Sequence, residues 1–510
     1  MAKRAILFAA SLLLTIASMG DKYCSVAFSD VNKIRLTLRS GDISVATAST
    51  NLGNHSVLSI DGFFPSADNV GKPCLPVLSR RVEIPLCKGV SYKIISTATE
   101  SYTAQELGIT YPLYPTQAPR SKSDEGPIEL VKDAKVYATN ALYAKETIVV
   151  EKIGVARNTN LADVFFSPIS YNPVSGQIEV IKEIELELTF DEPDMAATRN
   201  MKKKHHSPAY SVKADVASAI AKDAYTSGPI RYLIVAHESF RDQMDTFIEW
   251  KRRKGFMCDI VYTDQSEVGN TTESIAAYLK AQYTNATAEL PAPTYVLLVG
   301  DVQQIPAFDS RITSSWLNDH ITDLYYFTWT DGDIIPDCYY GRFSAQDVSD
   351  LTPQVDKTLM YEQYTMSDPS YLDKALIVAG VDGGTAGDHG YTHADPVIHY
   401  LEDNYTTEEY GYTEVTSYYN PESGTSGARS GVFNALSGGV GYANYTAHCN
   451  YDNWSQPRFN NSDVARMENT EKFGLMIGNC CLSSKFDVNE CLAEALLRKG
   501  NYRGAVGYIG

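Results

Sequence analysis

The sequence predicts an α/β domain, a mostly parallel sheet with flanking helices, preceded by an all-β sandwich. Three observations carry this expectation. At 510 residues the chain exceeds what one hydrophobic core serves, so two or more domains are expected. From about residue 25 to 195, apolar and polar residues alternate in short runs such as "KIRLTLRSGDISV", "RRVEIPL" and "IEVIKEIELELTF". After Pro229 the pattern changes to apolar strand-like runs separated by amphipathic helical ones.

Taken in order, residues 1–20 read as a secretory signal peptide, with Lys3 and Arg4 ahead of the apolar run from Ala5 to Ala17 and small residues at Ser18 and Gly20. That run falls short of the roughly 20 residues a membrane span needs. No second run of that length follows, so an exported chain without a membrane span is expected, secreted or at the cell surface. Cys24 lacks the small residues that precede a lipid-modified cysteine.

Residues 21–196 form the β-rich domain, because period-two alternation bounded by Gly, Pro and Asn marks antiparallel strands. Residues 197–229 are polar, basic and Pro/Gly-containing, and read as an exposed linker where proteolytic processing concentrates. Residues 230–510 carry the α/β alternation. "IRYLIVA", "CDIVYT", "TYVLLVGD" and "KALIVAGVD" are strands; "SFRDQMDTFIEWKRRKG", stopped by Gly255, and "TTESIAAYLKAQY" are helices.

A net charge of -18 excludes nucleic acid as a partner, since phosphate binding needs a basic face. It leaves room for carboxylate loops that hold calcium. Nine cysteines show no zinc-like spacing, and an odd count in an exported chain points to a reactive thiol. Cys258 and Cys338 lie in strand-like runs and read as core.

The later strands end in reactive side chains. "ALIVAGVD" stops at Asp382, "VGYANYTAH" at His448, and "FGLMIGNCC" at Cys480 and Cys481. Ligands of open parallel sheets bind beyond the carboxyl ends of strands, so an acid, an imidazole and a thiol are expected at one edge of one sheet. A cysteine nucleophile asks for these types: imidazole to favour thiolate, a carboxylate to orient the imidazole, and a backbone N–H for the oxyanion. Taken singly, each residue has a structural reading, and Asp382 opens the turn-like loop "DGGTAGDHG". The pattern alone does not choose between Cys480 and Cys481. A Gly-x-Ser-x-Gly turn of an α/β hydrolase is missing.

From about residue 230 onward the chain resembles the gingipain family of cysteine peptidases, clan-mates of caspases, and within it the lysine-specific members. The resemblance rests on "EWKRRKGF", "YTDQSEVG", "LLVGD", "DLYYFTWTDGDIIPD", "SYLDKALIVAG", "ANYTAH", "IGNCC", "FDVNECLAEAL" and "GAVGYIG". It implies a caspase-like catalytic domain behind a propeptide. It places the nucleophile at Cys481 with Cys480 a buried neighbour, the histidine at His448 and its supporting acid at Asp382. The oxyanion hole would use the backbone N–H groups of Cys449 and Cys481, and Trp454 would stand near the substrate pocket. Substrates would be proteins or peptides cut after a basic residue, lysine first. The family also uses calcium, for which Asp323, Asp331 and Asp333 offer oxygens. The propeptide would inhibit its own enzyme until cleavage at Lys222–Asp223, with Lys213 and Lys204 as the next candidates.

Two departures stand out. Cys449 replaces the glycine that follows the family histidine, adding a side chain at the oxyanion hole. The strand "GAVGYIG" stops at Gly510, where the family continues, so a truncated chain is expected. The acid that reads lysine would lie past that point, and His393 stands where arginine-specific members have aspartate. The replaced glycine motivates the alternative, a catalytically impaired surface protein that binds host or heme-bearing proteins.

Overall fold

The alternating N-terminal stretches fold as strands with one face inward. In Lys33–Arg39, Ile34, Leu36 and Leu38 are buried while the residues between them are not. Gln177–Asp191 does the same with Ile184, Leu186, Leu188 and Phe190. The two strands pair antiparallel, which sets Glu187 opposite Arg35 and Glu183 opposite Arg39. Both pairs close as ion pairs, at 2.7 and 2.9 Å, on the outer face.

The computed structural model describes residues 22–118, 129–216, 228–309, 320–380, 399–406, 413–419, 426–498 and 503–510. The expected signal peptide, the Lys222–Asp223 junction, Asp382 and His393 lie outside them. The chain divides into two compact units, one built mainly from residues up to His206 and the other mainly from Ser227–Gly510. Among the described residues no helix is long and apolar enough to cross a membrane.

The first unit is a sandwich. One sheet has the order Cys24–Ser29, Lys33–Arg39, Gln177–Asp191, Ile169–Tyr171, Tyr143–Ala144, with Gly89–Thr103 also paired to Gln177–Asp191. The other runs Phe64–Pro65, Pro76–Ile84, Thr159–Phe166, Ile148–Ala156. Leu36, Leu38, Ile184 and Leu186 of one pack against Leu78, Val82, Val164 and Phe166 of the other.

The stretch read as an exposed linker begins differently. Met195–Lys204 is a helix capped by the Asp194 carboxylate, with Thr198 buried and Lys202 paired to Glu83. Further on, Val216 exchanges backbone hydrogen bonds with the strand Pro76–Ile84, donating to Arg81 and accepting from Glu83.

In the second unit the single expected sheet is two parallel sheets among the described residues. The first has the order Met257–Tyr262, Arg231–Ala236, Tyr295–Val299, Tyr339–Phe343. The second has the order Glu414–Tyr419, Lys374–Ala379, Tyr442–Thr446, Leu475–Asn479, Gly507–Ile509. Alternate residues of Arg231–Ala236 serve two cores. Leu233 and Val235 meet Ile275 and Leu279 of one helix, while Ile234 and Ala236 meet Phe247, Leu351 and Val355 of two others. Burial on both faces is why these strands read as continuous apolar runs.

A buried polar cluster ties the first sheet to the helix Leu492–Arg498 of the second half. The Arg498 guanidinium donates to Asp301 (3.0 Å), Glu494 (2.5 Å) and the Ser344 hydroxyl (2.6 Å). Lys357, on the helix Val348–Gln363, is fully buried and donates to the carbonyls of Leu496 and Arg503, both at 3.0 Å.

Burial without a carboxylate partner pushes the Lys357 ammonium down to about 7. The folded chain then sheds this proton at a pH where the unfolded chain keeps it, so stability rises with pH above about 7. Urea titrations of wild type and Lys357→Met from pH 6 to about 8.5 are expected to diverge by up to about 1.4 kcal/mol per pH unit in favour of wild type. Parallel pH profiles would contradict the assignment.

Candidate active site

The site is set by strand register. Lys374–Ala379, Tyr442–Thr446 and Leu475–Asn479 are consecutive neighbours, all parallel, with Ala379 opposite Thr446 and Thr446 opposite Asn479. His448 and Cys481 each follow that registered row by two residues, so they leave the same edge of the sheet side by side. Strand order reverses at Lys374–Ala379, whose chain continues to one side and returns on the other. A ligand crevice belongs at the carboxyl ends of strands at such a switch point. Asp382 lies outside the described residues. Gly380, two residues before it, donates to the Thr446 carbonyl at 3.1 Å. A Cβ at Gly380 would collide with Ala447 and the Gln456 carbonyl, so this close approach needs glycine.

After His448 the chain forms a small three-stranded antiparallel sheet, Cys449–Asn450, Asn453–Ser455 and Arg458–Asn460. The Tyr445 hydroxyl donates to the His448 carbonyl (2.5 Å) and accepts from the N–H groups of Ser455 and Gln456. Ser455 N–H also donates to the His448 carbonyl, at 3.0 Å. Cys449 faces Trp454 at the next register position, where antiparallel partners do not bond, so its N–H points away from the hairpin.

The thiol end is equally fixed. Cys480 N–H turns back onto the Gly478 carbonyl at 2.8 Å. Trp454 Nε1 donates to the Tyr508 hydroxyl (3.0 Å), and the Ser483 hydroxyl accepts from both the Tyr508 hydroxyl (2.9 Å) and the Cys480 thiol (3.2 Å). Gly478 leaves room for the Tyr508 hydroxyl, which any Cβ there would strike. Cys480 is half-buried and Cys481 exposed. Cys449 sulfur accepts from Leu482 N–H at 3.0 Å. A hydrogen bond from the Cys480 thiol lowers the Cys449 pKa and, by the same contact, raises that of Cys480, with burial adding to the latter.

Two expected roles change. Trp454 is fully buried, stacked on Tyr445 with ring centroids 4.7 Å apart, and props the turn after His448 instead of lining a pocket. The three carboxylates expected to hold calcium are not brought together. Asp323 grips Arg342 with both oxygens (2.6 and 2.8 Å), Asp331 reaches outward to Lys280, and Asp333 caps the Ile335 N–H. Among the described residues no group of three His, Cys, Asp or Glu is placed to hold a metal ion. Asp323→Asn is therefore expected to cost about 3–5 kcal/mol in urea unfolding by stranding a buried arginine, with or without added calcium. A loss seen only with calcium would restore the metal reading.

Comparison with known proteins follows the same lines. The sequence profile of Peptidase family C25 matches residues 225–510, and that of Propeptide_C25 matches residues 29–207. The chain belongs to peptidase family C25. Lys-gingipain W83 of Porphyromonas gingivalis is 33% identical over 477 residues, 92% of this chain and 26% of that protein. Gingipain R2 of Porphyromonas gingivalis is 24% identical over 454 residues, 86% of this chain and 58% of that protein. This C25 chain thus spans about a quarter of the length of the Lys-gingipain it matches. A solved structure titled the complex of Porphyromonas gingivalis RgpB pro- and mature domains is 27% identical, with a TM-score of 0.48 over 55% of this chain and 63% of that one.

Sequence reasoning on this C25 domain missed Tyr445, Ser483 and Tyr508, which hold the two strand ends. Their signal was available in part. Tyr445 and Tyr508 each interrupt a strand that leads to the site, and a buried tyrosine hydroxyl must find a partner.

Proposed function

We propose that this chain is the zymogen of an exported cysteine endopeptidase that cleaves proteins or peptides after basic residues, lysine first. One observation carries the reading: registered neighbouring strands of a family C25 domain each end two residues before His448 and Cys481. In this mechanism the Cys481 sulfur attacks the scissile carbonyl. The carbonyl oxygen gains charge facing the backbone N–H groups of Cys449 and Cys481, and collapse leaves an acyl-enzyme. His448 protonates the departing amine, then takes a proton from the water that releases the acyl group. Asp382 orients the imidazole. Preference for lysine draws support from the 33% identity to proteins named Lys-gingipain, against 24% to Gingipain R2.

Residues 29–207 act as the inhibitor of their own enzyme, a reading supported by their match to the family propeptide. Cleavage before Asp223, after Lys222, is expected to release the mature enzyme. Amino-terminal sequencing checks this, and a mature start inside the β sandwich would contradict it.

A binding role without catalysis is the second reading. It is favoured by the Cys449 side chain, which takes the Leu482 N–H beside the nucleophile. The deciding assay compares cleavage of paired peptides ending in Lys or Arg by the full-length, reduced protein after the linker is cut. Lysine-restricted cleavage lost in Cys481→Ala supports the peptidase. No cleavage by a correctly folded chain supports the binding protein.

A further inference from the structure

Two thiols beside the nucleophile remain unused by this mechanism. Cys449 and Cys480 follow the registered pair Thr446 and Asn479 by three residues and by one, and both side chains pack against the same core. Leu482 N–H donates to the Cys449 sulfur at 3.0 Å, the Cys480 thiol donates to the Ser483 hydroxyl of the same turn at 3.2 Å, and the two cysteines are close enough for each to shift the ionisation of the other. Both cysteines are free thiols, half-buried against the core that includes Tyr445, Trp454 and Met476. The Leu482 N–H donor and the neighbouring Cys480 favour the thiolate at Cys449, and the thiolate is the reactive form. Closure to the disulfide length of roughly 2.05 Å then asks for side-chain rotation at the two cysteines.

We propose that Cys449 and Cys480 form a redox-modification site that reacts with low-molecular-weight disulfides of the glutathione class and closes into an intramolecular disulfide. In the first step the Cys449 thiolate attacks one sulfur of the small disulfide. The S–S bond of that molecule breaks, and one small thiolate leaves and takes a proton from water. In the second step Cys480 gives its proton to water and its sulfur attacks the Cys449 sulfur of the mixed disulfide. The bond to the small thiol breaks and the second small thiolate leaves. Two protein thiols are oxidised and one small disulfide is reduced to two thiols. Cys481 is not the resolving partner of Cys480, because adjacent cysteines meet the disulfide distances only with distortion. Closure withdraws the Cys449 acceptor from Leu482 N–H, the residue after Cys481. That last consequence rests on the peptidase reading; the disulfide itself does not.

The test uses the full-length protein as Cys481→Ala, so that the pair is assayed apart from the exposed thiol, with wild type alongside. Reduced protein is exposed to glutathione disulfide at pH 7, acid-quenched, alkylated and digested for mass spectrometry. The expected result is a peptide joining Cys449 to Cys480 in both proteins, reversed by dithiothreitol. Cys480→Ser is expected to stop at glutathione on Cys449. The proposal is overturned if Cys449 and Cys480 both remain alkylatable. It is also overturned if glutathione stays on Cys449 in a chain that keeps Cys480.

Discussion

Cys481→Ala is expected to lower kcat on a lysyl peptide by roughly 10⁴-fold or more, as loss of a covalent nucleophile does. Cys480→Ala is expected to stay within a few-fold of wild type. The contrast follows from where the two sulfurs go. Cys480 is turned inward to Ser483 and Cys449, while Cys481 is exposed at the strand end. His448→Ala should match the Cys481 variant, because removing either member of a unit disables both. Circular dichroism must show all three variants folded. An inactive Cys480→Ala beside an active Cys481→Ala would reverse the assignment.

Arg498→Met is expected to destabilise the unit that holds Ser227–Gly510 by about 3–5 kcal/mol, the usual result of stranding buried charges. Arg498 is only 5% exposed, and Asp301 and Glu494, both 2% exposed, share its guanidinium. Burial already pushes the Glu494 pKa up, and Arg498 opposes that shift. Without the arginine, one carboxylate must take a proton or two charges must remain buried together. Glu494→Gln in the Arg498→Met background should therefore recover part of the loss. Denaturant unfolding of the two variants measures both effects. A change under about 1 kcal/mol for Arg498→Met would mean that solvent reaches the cluster.

The fold was legible where one physical rule governed a stretch. "KIRLTLR" alternates because one face packs and the other meets water. "IRYLIVA" does not alternate because both faces are covered. The strand ends were legible for a related reason: in parallel sheets His448 and Cys481 must leave at the same edge. Local reading failed where distant residues decide. "ATRNMKKK" has no apolar stripe, and only the Asp194 cap and the seat of Thr198 make it helical. Asp323 looks like an oxygen ligand in its own loop, yet its partner Arg342 comes from a separate strand. Trp454 was placed by resemblance, and its burial depends on Tyr445 and Tyr508 from two other strands. The seat of the Cys449 sulfur on Leu482 N–H likewise joins the ends of two strands far apart in sequence.

The most direct test of the central claim is covalent labelling with a lysyl peptide bearing a thiol-reactive ketone warhead, followed by mapping of the modified residue. Labelling of Cys481, abolished by His448→Ala and spared in Cys480→Ala, is the expected result. Labelling of Cys449 or Cys480, or labelling of Cys481 at the same rate without His448, would contradict it.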